Sequence, residues 1–326
     1  PMTRKEVLHS IEAIRPKIEM LASRGVQCTF FEATTCMAFR HFARRKVDAA
    51  VIEVGMGGRL DSTNVIAPAL SVITNISLEH TQHLGDTMAK IAFEKAGIIK
   101  PGVPSVSAVI ETEAGRVIKA AAREMGSELH ISAAECEMHV HEAGLLGMTL
   151  SAITKNNKYN TSTIKLAGAH QATNAATAIV AAELLALGIF PIGPENIKAG
   201  LERTRWAARL QVVRRRPTVL LDATHNPGGA RTLAAFLGAH FRSDKPVLVL
   251  AMLEDKEVGP VVEMLEPLAS RTVVTESSYD RRMGATELAS RFHGKVEIIG
   301  SVGEAVDRAI ALAGENGTVL ITGSIF

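Results

Sequence analysis

Residues 218–237 read TVLLDATHNPGGARTLAAFL. Thr218 to Leu221 form a short apolar, β-branched run of the kind that fills a buried strand. Asn226 has the chemistry of a helix N-cap, and Pro227 that of a first helical residue. Beyond them, Ala230 to Leu237 read as helix. Strand, short loop and helix in one stretch is the repeating unit of a parallel α/β sheet. Such sheets bind ligands beyond the carboxyl ends of their strands. Asp222 and His225 flank that strand end, so they belong either to a capping loop and nothing more or to a site in the crevice.

The same alternation extends in both directions. Downstream, PVLVLAM, RTVVTE, KVEIIG and TVLITG read as strands, with LQVVRR just upstream of the opening stretch. Helices near 227–240, 257–269, 285–292 and 302–314 separate most of them, which makes a doubly wound unit from residue 208 to 326. Before the hinge at TRWAARL (204–210), residues 1–207 form another unit. There DAAVIEV, LSVITNI and PSVSAVI read as buried strands, and FEATTCMAFRHFARR and DTMAKIAFEKAGIIK as helices. Thr29 and Glu32 have the spacing of a capping box. Residues 134–166 differ: CEMHVHEAG, LLGMTLSAI and YNTSTIKL are short and turn-bounded, an antiparallel excursion. GAHQATNAATAIVAAELLALG then reads as a long Ala-rich helix. The fold class expected is α/β, with two doubly wound domains.

Composition excludes several classes. The 326 residues are 47% hydrophobic and 21% charged, with a formal net charge of +2. A nucleic-acid footprint needs a concentrated basic excess, and Arg214-Arg215-Arg216 reads instead as a solvated strand end. Cys28, Cys36 and Cys136 show no metal spacing and suggest a reducing, cytoplasmic setting. No apolar run reaches the length of a membrane span, since IVAAELLALGIF is broken by Glu183.

Against this background some residues break the pattern. In VIEVGMGGRLDSTN (51–64), Glu53 closes an apolar run before a glycine-rich loop. The loop fits neither G-x-G-x-x-G, which would need glycine at Leu60, nor G-x-x-x-x-G-K-[ST]. A carboxylate at a buried strand end needs a cation or another strong partner. It is either a structural ion pair or part of a site. His80, after the next strand, falls at the same sheet edge and is either surface or site. Lys95 lies inside the apolar stripe Met88, Ile91, Ala92, Ala96 and Ile99, so it either snorkels or has a role. Asp255-Lys256 and Gly323-Ser324 place further polar groups at strand ends of the second unit.

These segments, in this order, resemble the folylpolyglutamate synthase/dihydrofolate synthase family of the Mur ligase superfamily. The resemblance is carried by TFFEATTCMAF, VIEVGMGGRLDSTNVI, SVITNISLEHTQHLGDTMAKIAFEKAGIIKPGVP, GAHQATNAATA, WAARLQVV, LLDATHNPGGAR, LEDKE and TGSIF, across nearly the whole chain. It implies an ATP-dependent ligase, in which a pterin-linked carboxylate is phosphorylated and the acyl phosphate is then attacked by glutamate. It implies Mg2+ held by Glu53, His80 and Lys95, the last as a carbamate, with Lys95, His80 and His225 in catalysis. It implies ATP contacts from Asn174, Arg209, Asp222, His225, Lys256 and Ser324. Folate or dihydropteroate would lie against Phe31, Arg59 and Asp61. A monomer without nucleic-acid or membrane partners is the expectation that goes with the family.

The sequence also departs from the family. A GTNGKGS-like phosphate loop is absent, and Pro1-Met2 leads straight into a helix-like segment. The chain is therefore expected to be a fragment that lacks the first strand, phosphate loop and following helix, binds ATP poorly and does not turn over. It ends at GSIF, where the family continues, and WAARL carries Ala208 where glycine is usual. Two rival readings remain: a non-catalytic folate-like-ligand binding protein of this fold, and a Mur-type ligase for a peptidoglycan precursor. FFEATT and GGRLDSTN speak against the latter.

Overall fold

A computed structural model describes residues 2–110, 112–188 and 190–324. Two long helices open the chain, α1 (Arg4–Ser23) and α2 (Phe30–Arg45), packed on one another. Both begin with reciprocal capping boxes, Thr3 with Glu6 and Thr29 with Glu32, which satisfy amides that a helix start leaves orphaned.

A parallel sheet follows, in the order β1 (Ser71–Ile73), β2 (Ser105–Ser107), β3 (Leu129–Ile131). Between β1 and β2 come the single turn α3 (Thr81–Leu84) and α4 (Met88–Ala96), and between β2 and β3 comes α5 (Glu113–Glu124). Ala92, Ala96, Ile99, Ala114, Ile118 and Ala122 bury this helical layer against Ile73. After the single turn α6 (Ser132–Glu135), a separate antiparallel sheet is formed by β4 (Cys136–Gly144), β5 (Gly147–Thr154) and β6 (Lys158–Ile164). Then come α7 (His170–Ala186) and α8 (Pro194–Arg203). Ala176, Ile179 and Val180 of α7 pack with Val106 of β2 and with Ala152 and Tyr159, so α7 joins the two small sheets.

One expectation fails here. DAAVIEV forms no strand: residues 48–54 make no ladder, and Val51 is 99% exposed. No described strand lies beside this segment, and an extended backbone without a neighbour leaves its amides and carbonyls to water. Glu53 is exposed as well, so it is not the buried carboxylate its flanking residues suggested.

The second sheet runs β7 (Gln211–Arg215), β8 (Thr218–Leu221), β9 (Val247–Leu250), β10 (Arg271–Val274), β11 (Glu297–Ile298) and β12 (Thr318–Thr322) in sequence. Their order in space is β11-β10-β9-β12-β8-β7, parallel except for β7 on β8. Alternate side chains bury opposite faces, as period two requires. Leu220, Leu248, Leu250, Val274 and Leu320 face α9 (Pro227–His240), α10 (Val258–Leu265) and α11 (Ala285–Ala289). Val219, Val247, Val249, Val273 and Val319 face α12 (Val302–Ala313). The last strand inserts between β8 and β9, so the carboxyl ends of these three strands make the crevice of a doubly wound sheet. No helix among the described residues is long and apolar enough to cross a membrane.

One buried carboxylate fixes the antiparallel sheet. Glu183, 7% exposed on α7, accepts from Thr154 Oγ1 (2.9 Å), Asn157 Nδ2 (2.8 Å) and the Tyr159 hydroxyl (2.8 Å), and from Asn156 Nδ2 (3.1 Å). Burial first, and then this carboxylate, hold the Tyr159 hydroxyl above its usual range, so it stays a donor. Glu183→Ala leaves those donors unmatched inside the protein and is expected to cost about 2–4 kcal/mol. Urea unfolding measures this, and a loss under half a unit would show the carboxylate to be dispensable.

Candidate functional site

The glycine-rich loop 55–61 is built onto α4. A side chain at Gly58 would strike the Glu94 carbonyl at 2.8 Å, and one at Gly57, at φ +70, would strike Leu84. Gly97 closes the other side of this contact, since a Cβ there would collide with the Arg59 backbone. Arg59 donates its amide to the Glu94 carbonyl (2.8 Å), pairs its guanidinium with the Glu94 carboxylate (2.9 Å) and lies over the Phe93 ring at 5.4 Å. Asp61 caps the turn after the loop. Its Oδ1 accepts from the Thr63 amide and hydroxyl, and its Oδ2 from the Met56 amide (3.0 Å). The Phe31 ring lies directly against Gly55, where any Cβ would overlap it. Phe31, Arg59 and Asp61 thus share one loop surface, on the helix that carries Lys95.

A polar cluster lies where the two units meet. Lys95 does not snorkel to open solvent. Its Nζ lies 3.2 Å from Glu79 Oε1, and both side chains are about a quarter exposed (23% and 26%). His80, next in sequence, adopts φ +50, a left-handed conformation uncommon for residues other than glycine. Burial pushes its imidazole below the usual range. Lys256, Lys95 and His225 push the same way, and Glu79 opposes them. Near neutral pH the ring is therefore uncharged and keeps a lone pair. From the second unit, Asn226 caps α9 by accepting from the Gly229 amide (2.8 Å), and its Nδ2 reaches Glu79 Oε2 at 3.5 Å. His225 Nδ1 lies 2.8 Å from the Ala223 carbonyl. A carbonyl only accepts, so Nδ1 carries a proton, and in the neutral ring Nε2 is then the acceptor.

The carboxyl edge of the second sheet supplies the remaining groups. Asp222, 6% exposed, accepts from the Leu210 amide (2.9 Å) and the Thr224 amide (3.0 Å). Lys256 Nζ lies 3.0 Å from Asp255, and Arg281 approaches the same carboxylate at 3.8 Å. Burial raises the Asp255 carboxyl, but these two cations outweigh it and hold the group below its usual range. Gly323 (φ +110) lets the chain pass the Ala251 carbonyl, which any side chain would strike, and leads to Ser324. At the hinge, Arg209 and Asp222 both act on His170 at the start of α7, whose buried Nδ1 lacks a hydrogen-bond partner. Asn174, one turn on, is exposed and bonds to Gln171 (3.0 Å).

The structure therefore gathers His80, Lys95, His225 and Lys256 at one junction, and Arg209 and Asp222 around His170. Among the described residues Glu53 is not tied to either group by a defined contact. Sequence reasoning missed Glu79, His170 and Arg281. Glu79 had one signal, that it adjoins His80. No three described His, Cys, Asp or Glu side chains are gathered to hold a metal ion.

Residues 4–182 match the Mur ligase middle domain and residues 208–325 the Mur ligase glutamate ligase domain. The chain is similar to the dihydrofolate synthase/folylpolyglutamate synthase of Bacillus subtilis, at 36% identity over 100% of this chain and 77% of that protein. A probable bifunctional folylpolyglutamate synthase/dihydropteroate synthase of Haloferax volcanii is also 36% identical, over 96% of this chain but only 37% of its own length. Among solved structures, Mycobacterium tuberculosis folylpolyglutamate synthase complexed with ADP and AMPPCP superposes with a TM-score of 0.90. It is 31% identical, and the match covers 99% of this chain and 77% of that one.

The hinge also gives Ala208 a physical meaning. Ala208 and Leu210 lie at φ +55 and +49, and Ala208 is held there by the Gln211 side chain and the Ala223 amide. An L side chain in this region costs about 1 kcal/mol, a cost glycine avoids. Ala208→Gly is expected to raise stability by up to about 0.5 kcal/mol, the strain relief being partly offset by glycine's greater freedom when unfolded. A lower midpoint in urea or heat would show that Ala208 is not strained.

Proposed function

The chain belongs to the Mur ligase family, in its folylpolyglutamate synthase/dihydrofolate synthase branch, and we propose that it is an ATP-dependent amide ligase. It adds L-glutamate to folate, to dihydropteroate, or to both, through an acyl phosphate. The observation that carries this reading is the junction where His80 and Lys95 of the first unit meet His225 and Lys256 of the second. A reaction whose demands are alignment and charge neutralisation calls for charged and proton-accepting groups that converge from both units.

In this reading residues 1–207 bind nucleotide and pterin, and residues 208–326 bring the glutamate. The acceptor carboxylate attacks the terminal phosphorus of ATP and ADP leaves. The glutamate amine then attacks the acyl carbon and phosphate leaves. Asn174, Arg209 and Asp222 border the nucleotide, with Ser324 at the next strand end. Lys256 offsets anionic charge, and His225 Nε2 takes a proton from the attacking amine. Phe31, Arg59 and Asp61 form the pterin side. Magnesium, when bound with the nucleotide, neutralises phosphate oxygens, and Glu53, His80 and a carbamylated Lys95 are the groups that would hold it. We place the enzyme in the cytoplasm, as a monomer.

Carbamylation forms a bond from Lys95 Nζ to carbon dioxide, the ammonium giving up two protons in all, and the resulting anion must leave Glu79. With 13C-labelled bicarbonate, a carbamate carbon resonance is expected that disappears in Lys95→Arg. Its absence from the unaltered protein would remove this part of the reading.

The gene product, given ATP, L-glutamate and either dihydropteroate or a reduced folate, is expected to release phosphate in step with amide formation. Turnover of a UDP-linked peptide and of neither pterin would overturn the assignment. Asp61→Ala is expected to lower kcat/KM for dihydropteroate by about tenfold, the scale of one lost charged hydrogen bond. A melting curve alongside separates this from loosening of the loop that Asp61 caps. Full dihydropteroate ligation by a folded variant would take Asp61 out of the pterin site.

A further inference from the structure

We propose that Glu79 and Asn226 form a latch between the two units, with Glu79 as a positioning residue that registers the second unit against Lys95. This rests on the ligase reading for its role in turnover, but not for its existence.

Glu79 divides its two carboxylate oxygens. Oε1 faces Lys95 Nζ at 3.2 Å on its own unit, and Oε2 faces Asn226 Nδ2 at 3.5 Å on the other. Asn226 divides its amide in the same way. Its Oδ1 accepts from the Gly229 amide at 2.8 Å, while its NH2 points across the junction. An N-cap needs only an oxygen, and aspartate or serine would cap α9 equally well. Aspartate has no donor, and serine must donate from the same short-reaching oxygen that caps, whereas asparagine adds a separate NH2 that extends past the cap. The choice of residue therefore reflects what lies opposite, which is a carboxylate.

The backbone around the latch is close-set. A Cβ added at Gly228, the second residue of α9, would lie 3.2 Å from Ser77 Cβ, two residues before Glu79. His225 precedes Asn226 and His80 follows Glu79, and the charges of His225, Lys256, Lys95 and Glu79 all act on His80. The latch thus links the two loops that carry these groups. When Asn226 engages Glu79, His225 is carried toward His80 and Lys95. When it lets go, the second unit is free to admit or release substrate.

The closeness of Ser77 and Gly228 allows a test that does not depend on catalysis. Cysteines at both positions (Ser77→Cys, Gly228→Cys) fall within disulfide reach after a small adjustment. The cross-link is identified by peptide mass mapping, so Cys28, Cys36 and Cys136 do not interfere. Asn226→Asp keeps the cap and sets a carboxylate against Glu79. It is expected to slow cross-linking about tenfold, the scale of one charge-assisted hydrogen bond replaced by like charge. Combining it with Glu79→Gln exchanges donor and acceptor and is expected to restore the rate to within about twofold of the parent. In ligase assays Asn226→Asp is expected to lower kcat, with recovery in the double variant. Unchanged cross-linking in Asn226→Asp, or no recovery in the exchanged pair while both variants melt like the parent, would overturn the latch. A latch seen in cross-linking without any pterin ligation would leave it standing and count against the ligase reading alone.

Discussion

Asp222 is the group on which the hinge end of the second unit depends. It is a buried carboxylate at the end of a parallel strand, and it accepts two backbone amides. One amide belongs to Leu210 in the hinge and the other to Thr224 in the loop that leads to α9. A buried carboxylate left without such donors would be expensive or would become neutral. The same two bonds therefore satisfy the charge and fix the hinge against the strand end. The left-handed residues at 208 and 210, the orientation of His225 and the entry of α9 all follow from this anchoring.

The first unit reaches its side of the junction by close backbone packing. Gly57, Gly58 and Gly97 remove the side chains that would separate the loop from α4. That contact seats Arg59 on Glu94 and Phe93, and it holds Phe31 and Asp61 on one surface with the helix that presents Lys95. A glycine-rich loop after an apolar run has the look of a phosphate cradle. Here its glycines serve helix contact instead, because the atoms nearest to their missing side chains belong to the protein itself.

Much of the second sheet could be read from residue order alone. Its strands are buried on both faces, and their apolar runs are bounded by loops whose polar residues have few other places to go. Lys95 was legible as an anomaly, since a lysine in an apolar stripe calls for a partner, but the identity of that partner was not. Glu79 lies sixteen positions earlier, and nothing in local periodicity brings it to Lys95. Glu53 shows the converse error. Its flanking residues have strand composition, yet a strand exists only where a neighbour completes its hydrogen bonds, and none of the described residues does so. Ala208 reads as a minor departure in sequence and becomes a strained residue once its φ is known.

By itself the sequence determined the α/β class, the capping of the helices, the alternation of buried faces and the family to which the chain belongs. These rest on local chemistry: period two in strands, an oxygen at a helix start, apolar runs of fixed length. Tertiary structure alone decided that Glu79 stands between Lys95 and Asn226, that Asp222 ties the hinge, and that Glu183 gathers four donors from one hairpin. Each of these depends on groups far apart in the chain meeting within hydrogen-bond distance. Such meetings are set by how whole layers pack, and no local pattern encodes them.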